Sequence, residues 1–297
     1  MVFKGVLPVL QTPFHEDEAL DLESLAREVS DVVRAGADGA VFPGFASEWW
    51  KLSEDEIFEA AAVIAGRRSP GFRVIFNVTA QSTRLAAAQA RRFAALGADG
   101  LMCLPPFVVP PDAAGLAAHL RAVLAAAEIP HALQYAASLT GTQVGAALIR
   151  SLKQEFPQLE AVKVDFVPTG PAITSLKADL GDSVGFLTGF AGLQLLDALQ
   201  RGARGLMGAA GHVAEDIRVF RALRDGDENA AGLHRRWLPL VNLEMQTLEL
   251  SIAVNKHLLA SRGVITSARL RDPGRPLDRF HQAQLRACLD ALNDTAS

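Results

Sequence analysis

A short glycine-bounded phrase recurs three times along the chain and limits the folds that the chain can adopt. It occupies residues 36–39, 97–100 and 202–205, as Gly-Ala-Asp-Gly twice and as Gly-Ala-Arg-Gly once. Each copy follows an amphipathic, helix-like segment and precedes a short apolar run. The first glycine suits the left-handed conformation at the end of a helix, and the second lets the backbone enter a strand closely. The phrase is therefore typical of a connection from a helix to a parallel strand.

Extended along the whole chain, this pattern predicts about eight strand–helix units. Eight such units favour a (β/α)8 TIM barrel, an α/β fold whose active site lies at the carboxyl ends of the strands. The alternative is an open doubly wound sheet, but no Gly-x-Gly-x-x-Gly motif follows the first strand. The predicted strands are 4–12, 39–43, 72–78, 100–104, 131–135, 159–164, 184–188 and 205–208. The predicted helices are 22–36, 53–67, 82–96, 113–127, 143–156, 171–180, 192–201 and 213–225.

No strand pattern follows residue 226. Helical periodicity runs through 228–262 and returns at 277–293, after a break marked by prolines and a glycine. We therefore predict a barrel over residues 1–225 and a C-terminal helical extension over 226–297, packed on the barrel as one structural unit.

Composition excludes several classes of partner. The net charge of -4 gives no electrostatic basis for binding nucleic acid or an anionic membrane surface. The N-terminus shows no apolar signal segment, and no apolar run is long enough to span a membrane. Cys103 and Cys288 lie far apart, without metal or redox spacing, as expected of thiols in a reducing compartment. The expected location is the cytoplasm.

Lys163 is the strongest candidate for chemistry, because it interrupts an otherwise apolar strand at 159–164. Burying an ammonium group is costly, so such a lysine is either neutral or paired. A neutral amine is a nucleophile that forms Schiff bases with carbonyl compounds. The alternative is a structural lysine that reaches water at the strand end or pairs with Asp165.

Other candidate residues follow from the predicted strand ends. The loop after strand two contains Gly44, Ala46 and Ser47, whose backbone amides could hold a carboxylate. The small residue Gly189 follows strand seven, and Met207 lies near the end of strand eight; both are candidate substrate-binding residues.

Strand five ends in Gln134 and Tyr135, of which Tyr135 is the only tyrosine in the chain. His212, after strand eight, could line the same cavity. The seven histidines are otherwise scattered without metal-binding spacing, and we expect neither a metal nor a cofactor.

Four segments carry a resemblance to a known family. They are residues 5–14, the loop 44–48 followed by Leu52-Ser53, the strand of Lys163, and Asn255-Lys256. Over nearly its whole length the chain resembles the dihydrodipicolinate synthase / N-acetylneuraminate lyase family of class I aldolases. The resemblance implies that Lys163 forms a Schiff base with pyruvate or another 2-oxo acid. It also implies a homo-oligomer, a dimer or a tetramer.

The chain departs from the family pattern around this lysine. Phe45 and Ala46 stand where the family loop carries hydroxyl groups, and Ser47 replaces a glycine. The family's strand-five tyrosine falls on Gln134 when counted from Thr140-Gly141, but on Tyr135 when counted back from Lys163. Because neighbouring strand residues face opposite sides, this choice decides whether a phenol reaches the cavity.

The synthase also uses a second tyrosine from the loop after strand four, and here the loop 105–109 has none. We therefore do not expect true dihydrodipicolinate synthase activity.

The sequence thus predicts a class I lyase, aldolase or dehydratase that acts on a 2-oxo acid and an unknown second substrate. In this hypothesis Tyr135 shuttles protons if it faces inward; otherwise Gln134 and Ser47 serve as polar anchors. The amides of Ala46 and Ser47 would hold the carboxylate. One alternative is a sugar-acid (2-keto-3-deoxy) aldolase or dehydratase with the same mechanism. The other is a non-catalytic barrel that binds 2-oxo acids.

Overall fold

A computed structural model describes residues 1–67 and 69–293 of the chain. Eight parallel strands lie in the order β1-β8-β7-β6-β5-β4-β3-β2. Backbone hydrogen bonds from Leu10 N to Val41 O (3.0 Å) and from Val41 N to Pro8 O (2.9 Å) join the two ends of this series. The sheet therefore closes into the predicted (β/α)8 barrel. The strands are β1 Gly5–Val6, β2 Gly39–Phe42, β3 Arg73–Val78, β4 Gly100–Cys103, β5 His131–Tyr135, β6 Leu159–Val164, β7 Gly185–Thr188 and β8 Gly205–Leu206.

Helices surround the barrel and continue beyond it. They are α1 Leu22–Ala35, α2 Glu54–Gly66, α3 Thr83–Ala95, α4 Ala113–Leu124, α5 Ala137–Thr140, α6 Ala146–Glu155, α7 Thr169–Leu180, α8 Leu195–Gln200, α9 Val213–Arg224, α10 Ala230–Glu244, α11 Leu248–Ser261 and α12 Arg279–Asn293. Short 3-10 turns follow β2, β7 and β8, so the chain turns tightly at the carboxyl ends of these strands.

The recurring phrase acts as predicted. Its first glycines, Gly36, Gly97 and Gly202, have φ values of 87°, 83° and 99°. Among the second glycines, a Cβ on Gly39 would lie 2.3 Å from the Arg73 carbonyl oxygen of the neighbouring strand. Only glycine meets both requirements without strain.

Some elements differ from the sequence prediction. The strand expected at 4–12 is regular only at Gly5–Val6, because Pro8 lacks the amide that a ladder needs. The chain nevertheless continues along the barrel, since Val9 bridges both Val41 and Ala209. The single periodic stretch 228–262 is two helices, because α11 starts afresh at Thr247, whose side chain accepts a hydrogen bond from Leu250 N at 3.1 Å.

Strand alternation divides the core into two layers and places Lys163. Ala161 of β6 packs inside the barrel, while Val162 and Val164 pack outward against the helices. Because side chains two residues apart share a face, Lys163 points into the barrel. The inner layer consists of Phe3, Leu7, Val9, Val41, Ile75, Met102, Ala132, Ala161, Leu187 and Met207.

The last three helices pack on one another and on the barrel. Leu240, Ile252 and Leu285 of α10, α11 and α12 share one apolar cluster, while Trp237 of α10 packs on Ala191 after β7. The proposed boundary after residue 225 stays a prediction, and residues 294–297 lie outside the described residues. Within 1–67 and 69–293, no helix combines the length and the apolar character needed to cross a membrane.

Candidate active site

Lys163 lies near the carboxyl end of β6, at a cavity of about 210 Å³ in the mouth of the barrel. Only 6% of its side chain is exposed. Its Nζ atom lies 2.8 Å from Oδ2 of Asp165, so the ion pair considered from sequence is present. Because both side chains line the cavity, the ion pair is part of the site and does not remove the lysine from it.

Two groups besides Lys163 hold Asp165. Its Oδ2 atom accepts a hydrogen bond from Gln134 Nε2 at 2.8 Å, and its Oδ1 atom accepts one from Phe190 N at 3.2 Å. Gln134 is itself oriented by Asn77, whose Nδ2 donates to Gln134 Oε1 at 3.2 Å. A polar chain therefore runs from β3 through β5 to the lysine of β6.

Gly189, predicted as a small residue at the end of β7, lies under this ion pair. A Cβ atom there would be 1.9 Å from Asp165 Oδ1 and 3.0 Å from Lys163 Cε. Position 189 therefore has no room for a side chain while the ion pair keeps this geometry.

Tyr135 is not brought to Lys163. In the register between β5 and β6, Gln134 pairs with Lys163 and Tyr135 pairs with Val164, so Tyr135 faces outward. Its hydroxyl donates to Gln143 Oε1 at 2.6 Å, and its ring packs edge-on against Phe166 at 4.8 Å. Of the two registers left open by the sequence, the structure has the one that places Gln134 at the site. The expected phenol relay from Tyr135 is corrected accordingly.

Ser47 is used within its own loop. Its hydroxyl donates to Leu10 O at 2.5 Å and accepts from Gly44 N at 2.9 Å, while its amide donates to Gly44 O at 2.9 Å. The expectation that Ser47 anchors substrate is therefore corrected: the residue shapes the loop. Ala46 does line the cavity, as does Phe45.

Two distant parts of the chain also contribute to the cavity wall. Met207, which follows β8, lines the cavity, and its contact with substrate stays a prediction. The connection between α10 and α11 and the start of α11 line it too. The cavity is bounded there by Met245, Gln246, Thr247, Leu248 and Ser251.

The model of the Dihydrodipicolinate synthetase family matches residues 2–292 of this chain. The chain belongs to that family. The family assignment made from sequence is thus confirmed across the barrel and the C-terminal helices.

Relatives of the chain within this family have several activities. It is 30% identical to L-2-keto-3-deoxyarabonate dehydratase of Azospirillum brasilense, over 98% of this chain and 94% of the relative. It is 26% identical to the putative 2-dehydro-3-deoxy-D-gluconate aldolase YagE of Escherichia coli K12, over 98% and 97%. The crystal structure of dihydrodipicolinate synthase from Rhodopseudomonas palustris superposes with a TM-score of 0.89 at 25% identity, covering 98% of both chains. These relatives support the predicted class, an aldolase or dehydratase.

The family-like segments at Glu48 and Lys256 meet in the structure as a buried ion pair. Lys256 Nζ lies 2.5 Å from Glu48 Oε1, and both side chains are fully buried. Burial lowers the pKa of Lys256 to about 8, against the opposing effect of Glu48. This pair ties α11 to the loop that carries Ala46, and so fixes one wall of the cavity.

His212 is not among the described residues that line the cavity, and it lies in a second buried charge cluster. Its Nδ1 atom is 3.2 Å from Asp216 Oδ2, and its Nε2 atom is 3.1 Å from Glu244 Oε1. Burial alone would lower the His212 pKa, but the charges of Glu244 and Asp216 outweigh it and raise the pKa to about 10. His212 therefore connects the turn after β8 to α10 as a charged structural group.

Sequence reasoning missed the place of Asp165 in the site, and also Asn77 and the cavity wall at Gln246 and Thr247. It considered Asp165 only as a partner that would make Lys163 structural, although residues two apart in an extended chain share a face. Asn77 offered no signal beyond its position near the end of β3. The cavity wall at Gln246 and Thr247 depends on how α10 and α11 pack, which no local pattern indicates.

Proposed function

We propose that this family member is a class I lyase that forms a Schiff base between Lys163 and the keto carbon of a 2-oxo acid such as pyruvate. One observation carries the proposal: an amine, almost fully buried, faces the cavity at the end of β6. Imine formation releases a water molecule, and a site sheltered from solvent limits hydrolysis of the imine. The dehydratase and the putative aldolase among its relatives support the same class of reaction.

The carboxylate of the 2-oxo acid is assigned to the loop after β2. Ala46 lines the cavity, and its side chain is only a methyl group. The Ser47 amide is bonded within the loop, so the Ala46 amide is the donor that remains from the sequence hypothesis. Backbone donors of this kind hold anions well in a cavity with little water.

The second substrate is inferred from the lining of the cavity. Phe45, Leu139, Phe190 and Met207 make most of its wall apolar. A partner with few hydroxyl groups fits this surface better than an extended sugar. True dihydrodipicolinate synthase activity is not proposed, because the tyrosine position of β5 is Gln134.

A second candidate is a dehydratase or aldolase for a short 2-keto-3-deoxy sugar acid. Gln246, Thr247 and Ser251 favour it, because they give one side of the cavity polar groups that suit hydroxyls. The L-2-keto-3-deoxyarabonate dehydratase relative points to the same substrate class.

We also propose a homo-oligomer in the cytoplasm, which the surface and the thiols support. Val108 and Val109 are 70% and 82% exposed in the loop after β4, and Trp50 nearby is 45% exposed. Exposed apolar groups on neighbouring loops suit a homo-oligomer contact. Cys103 and Cys288 are free thiols, which suits a cytoplasmic protein. Sedimentation velocity tests the assembly: Val109→Asp should shift a dimer or tetramer towards monomer.

The test of the function is reductive trapping. The protein is incubated with pyruvate and borohydride, its mass is measured, and the modified peptide is identified. The proposal expects one adduct per chain, on Lys163, and none in Lys163→Met. The absence of an adduct with pyruvate and with larger 2-oxo acids would reject the proposal. An adduct without exchange of the C3 protons in D2O would instead identify a non-catalytic binder.

A further inference from the structure

We infer that Asp165 is the catalytic acid and base that moves protons during imine formation at Lys163. The inference rests on the proposed function, because it assigns a role in the reaction of that same amine. The resemblance implies a tyrosine for this task, and the only tyrosine of the chain faces away from the cavity.

The first reason is position. Asp165 Oδ2 lies 2.8 Å from the Lys163 amine, which is the atom that must lose protons as the imine forms. Among the described residues that line the cavity, Lys163 and Asp165 are the only two with ionisable side chains. A proton-transfer group must lie within hydrogen-bond reach of the atoms that it serves, and Asp165 does so.

The second reason is orientation. Gln134 Nε2 donates to the same oxygen, Oδ2, that faces the amine, while Phe190 N fixes the other oxygen. Asn77 occupies Gln134 Oε1 and so turns the Gln134 amide nitrogen towards Asp165. Gly189 leaves the space in which the carboxylate lies. A carboxylate held from three sides, with a free path to the cavity, is preorganised for repeated transfer.

The proton balance closes with these two groups. Asp165 first takes a proton from the Lys163 ammonium, and the neutral amine attacks the keto carbon. Asp165 gives this proton to the resulting oxyanion, takes a second proton from the nitrogen, and gives it to the carbinolamine hydroxyl. Water leaves, the protonated imine remains, and Asp165 is again a carboxylate. The three ammonium protons end as one on the imine and two in the water.

The experiment measures the rate at which the pyruvate adduct accumulates under cyanoborohydride. Positioned acid–base catalysis contributes ~100-fold or more, so Asp165→Asn should slow trapping by about that factor while the final adduct still forms on Lys163. Tyr135→Phe is the matched control and should trap at the wild-type rate. If the wild type forms no adduct, the proposed function fails. If the wild type forms one and Asp165→Asn forms it equally fast, only the role of Asp165 is overturned.

Two further readouts separate proton transfer from mere support of the lysine. If Asp165 only stabilises the Lys163 ammonium by its charge, Asp165→Asn should trap at the wild-type rate at high pH. Proton transfer predicts that Asp165→Asn stays slower at every pH.

In Asp165→Ala, formate should restore part of the rate, because it can enter the vacated space. Two results together overturn the inference. Formate fails to restore the rate of an Asp165→Ala variant whose fold is intact by circular dichroism, and Asp165→Asn traps at the wild-type rate at high pH. Asp165→Glu keeps the carboxylate and serves if the Ala variant does not fold; proton transfer requires it to trap faster than Asp165→Asn.

Discussion

Gly189 and Asp165 are so close that the carboxylate occupies the space that a side chain at position 189 would need. A Cβ atom on Gly189 would lie 1.9 Å from Asp165 Oδ1. The end of β7 thus sets the position of the carboxylate that pairs with the lysine of β6. The geometry of the candidate active site depends on this one contact as much as on the polar groups around it.

Gly189→Ala should therefore impair the site more than the fold. The methyl group must displace Asp165, and a shift of about 1 Å in a positioned group can cost ~100-fold in rate. We expect trapping of pyruvate to slow 10- to 100-fold, with an overpacking cost of roughly 1–3 kcal/mol in the free energy of unfolding. Gly145→Ala is the matched control, because nothing lies within 4 Å of its added Cβ. Equal trapping rates in the two variants would refute the contact.

The register of β5 predicts different results for two adjacent residues. Gln134→Leu removes the donor to Asp165 and leaves the carboxylate less well oriented, so trapping should slow roughly 10-fold or more. Tyr135→Phe loses only the bond to Gln143 and should leave the rate unchanged. The rate constants of the two variants measured side by side decide the register. A large effect at Tyr135 with none at Gln134 would mean that the strand is shifted by one residue.

The buried pair of Lys256 and Glu48 should contribute strongly to stability. Lys256→Met removes the shorter of two ion pairs that buried Glu48 makes and leaves it with Lys51, whose Nζ lies 2.8 Å from Glu48 Oε2. Loss of one member of a buried pair costs about 3–5 kcal/mol, and the remaining pair with Lys51 favours the lower end of this range. Urea denaturation should show this loss, and adding Glu48→Gln to Lys256→Met should recover part of it. Arg34→Ala, on a side chain that is 74% exposed, should change the free energy of unfolding by less than about 0.5 kcal/mol. A loss at Lys256 as small as at Arg34 would contradict the pairing.

The charge of His212 predicts a particular dependence of stability on pH. Its pKa rises from an ordinary value of 6.5 to about 10 in the folded chain. The stabilisation is therefore complete below the unfolded pKa and is lost as pH rises through the folded one. The difference in free energy of unfolding between wild type and His212→Gln should shrink between pH 6.5 and 10, by up to about 1.4 kcal/mol per pH unit. A difference that is constant across this range would show that His212 is neutral in the fold.

The barrel was predictable because its determinants are local. Positive φ at Gly36 and the close approach of strands at Gly39 each need glycine, so the phrase marks a connection wherever it occurs. Lys163 was predictable for a similar reason, since a charged residue in an apolar strand needs a physical explanation. Both inferences rest on properties of a few consecutive residues.

The rest of the site depends on contacts that sequence does not encode locally. Whether Gln134 or Tyr135 faces inward depends on the length of the segment between β5 and β6. In the sequence, counting from Thr140-Gly141 favours Gln134, whereas counting back from Lys163 favours Tyr135. Ser47 has the right groups to bind a carboxylate, but Leu10 and Gly44 already engage them. The cavity wall at Thr247 lies more than eighty residues from Lys163 and depends on helix packing.

A crystal structure of the protein soaked with pyruvate tests the central claim most directly. The account predicts continuous density from Lys163 Nζ to C2 of the pyruvate, with the carboxylate against the Ala46 amide and Asp165 beside the imine nitrogen. Pyruvate bound in the cavity without a covalent link, or an adduct on any other lysine, would contradict it.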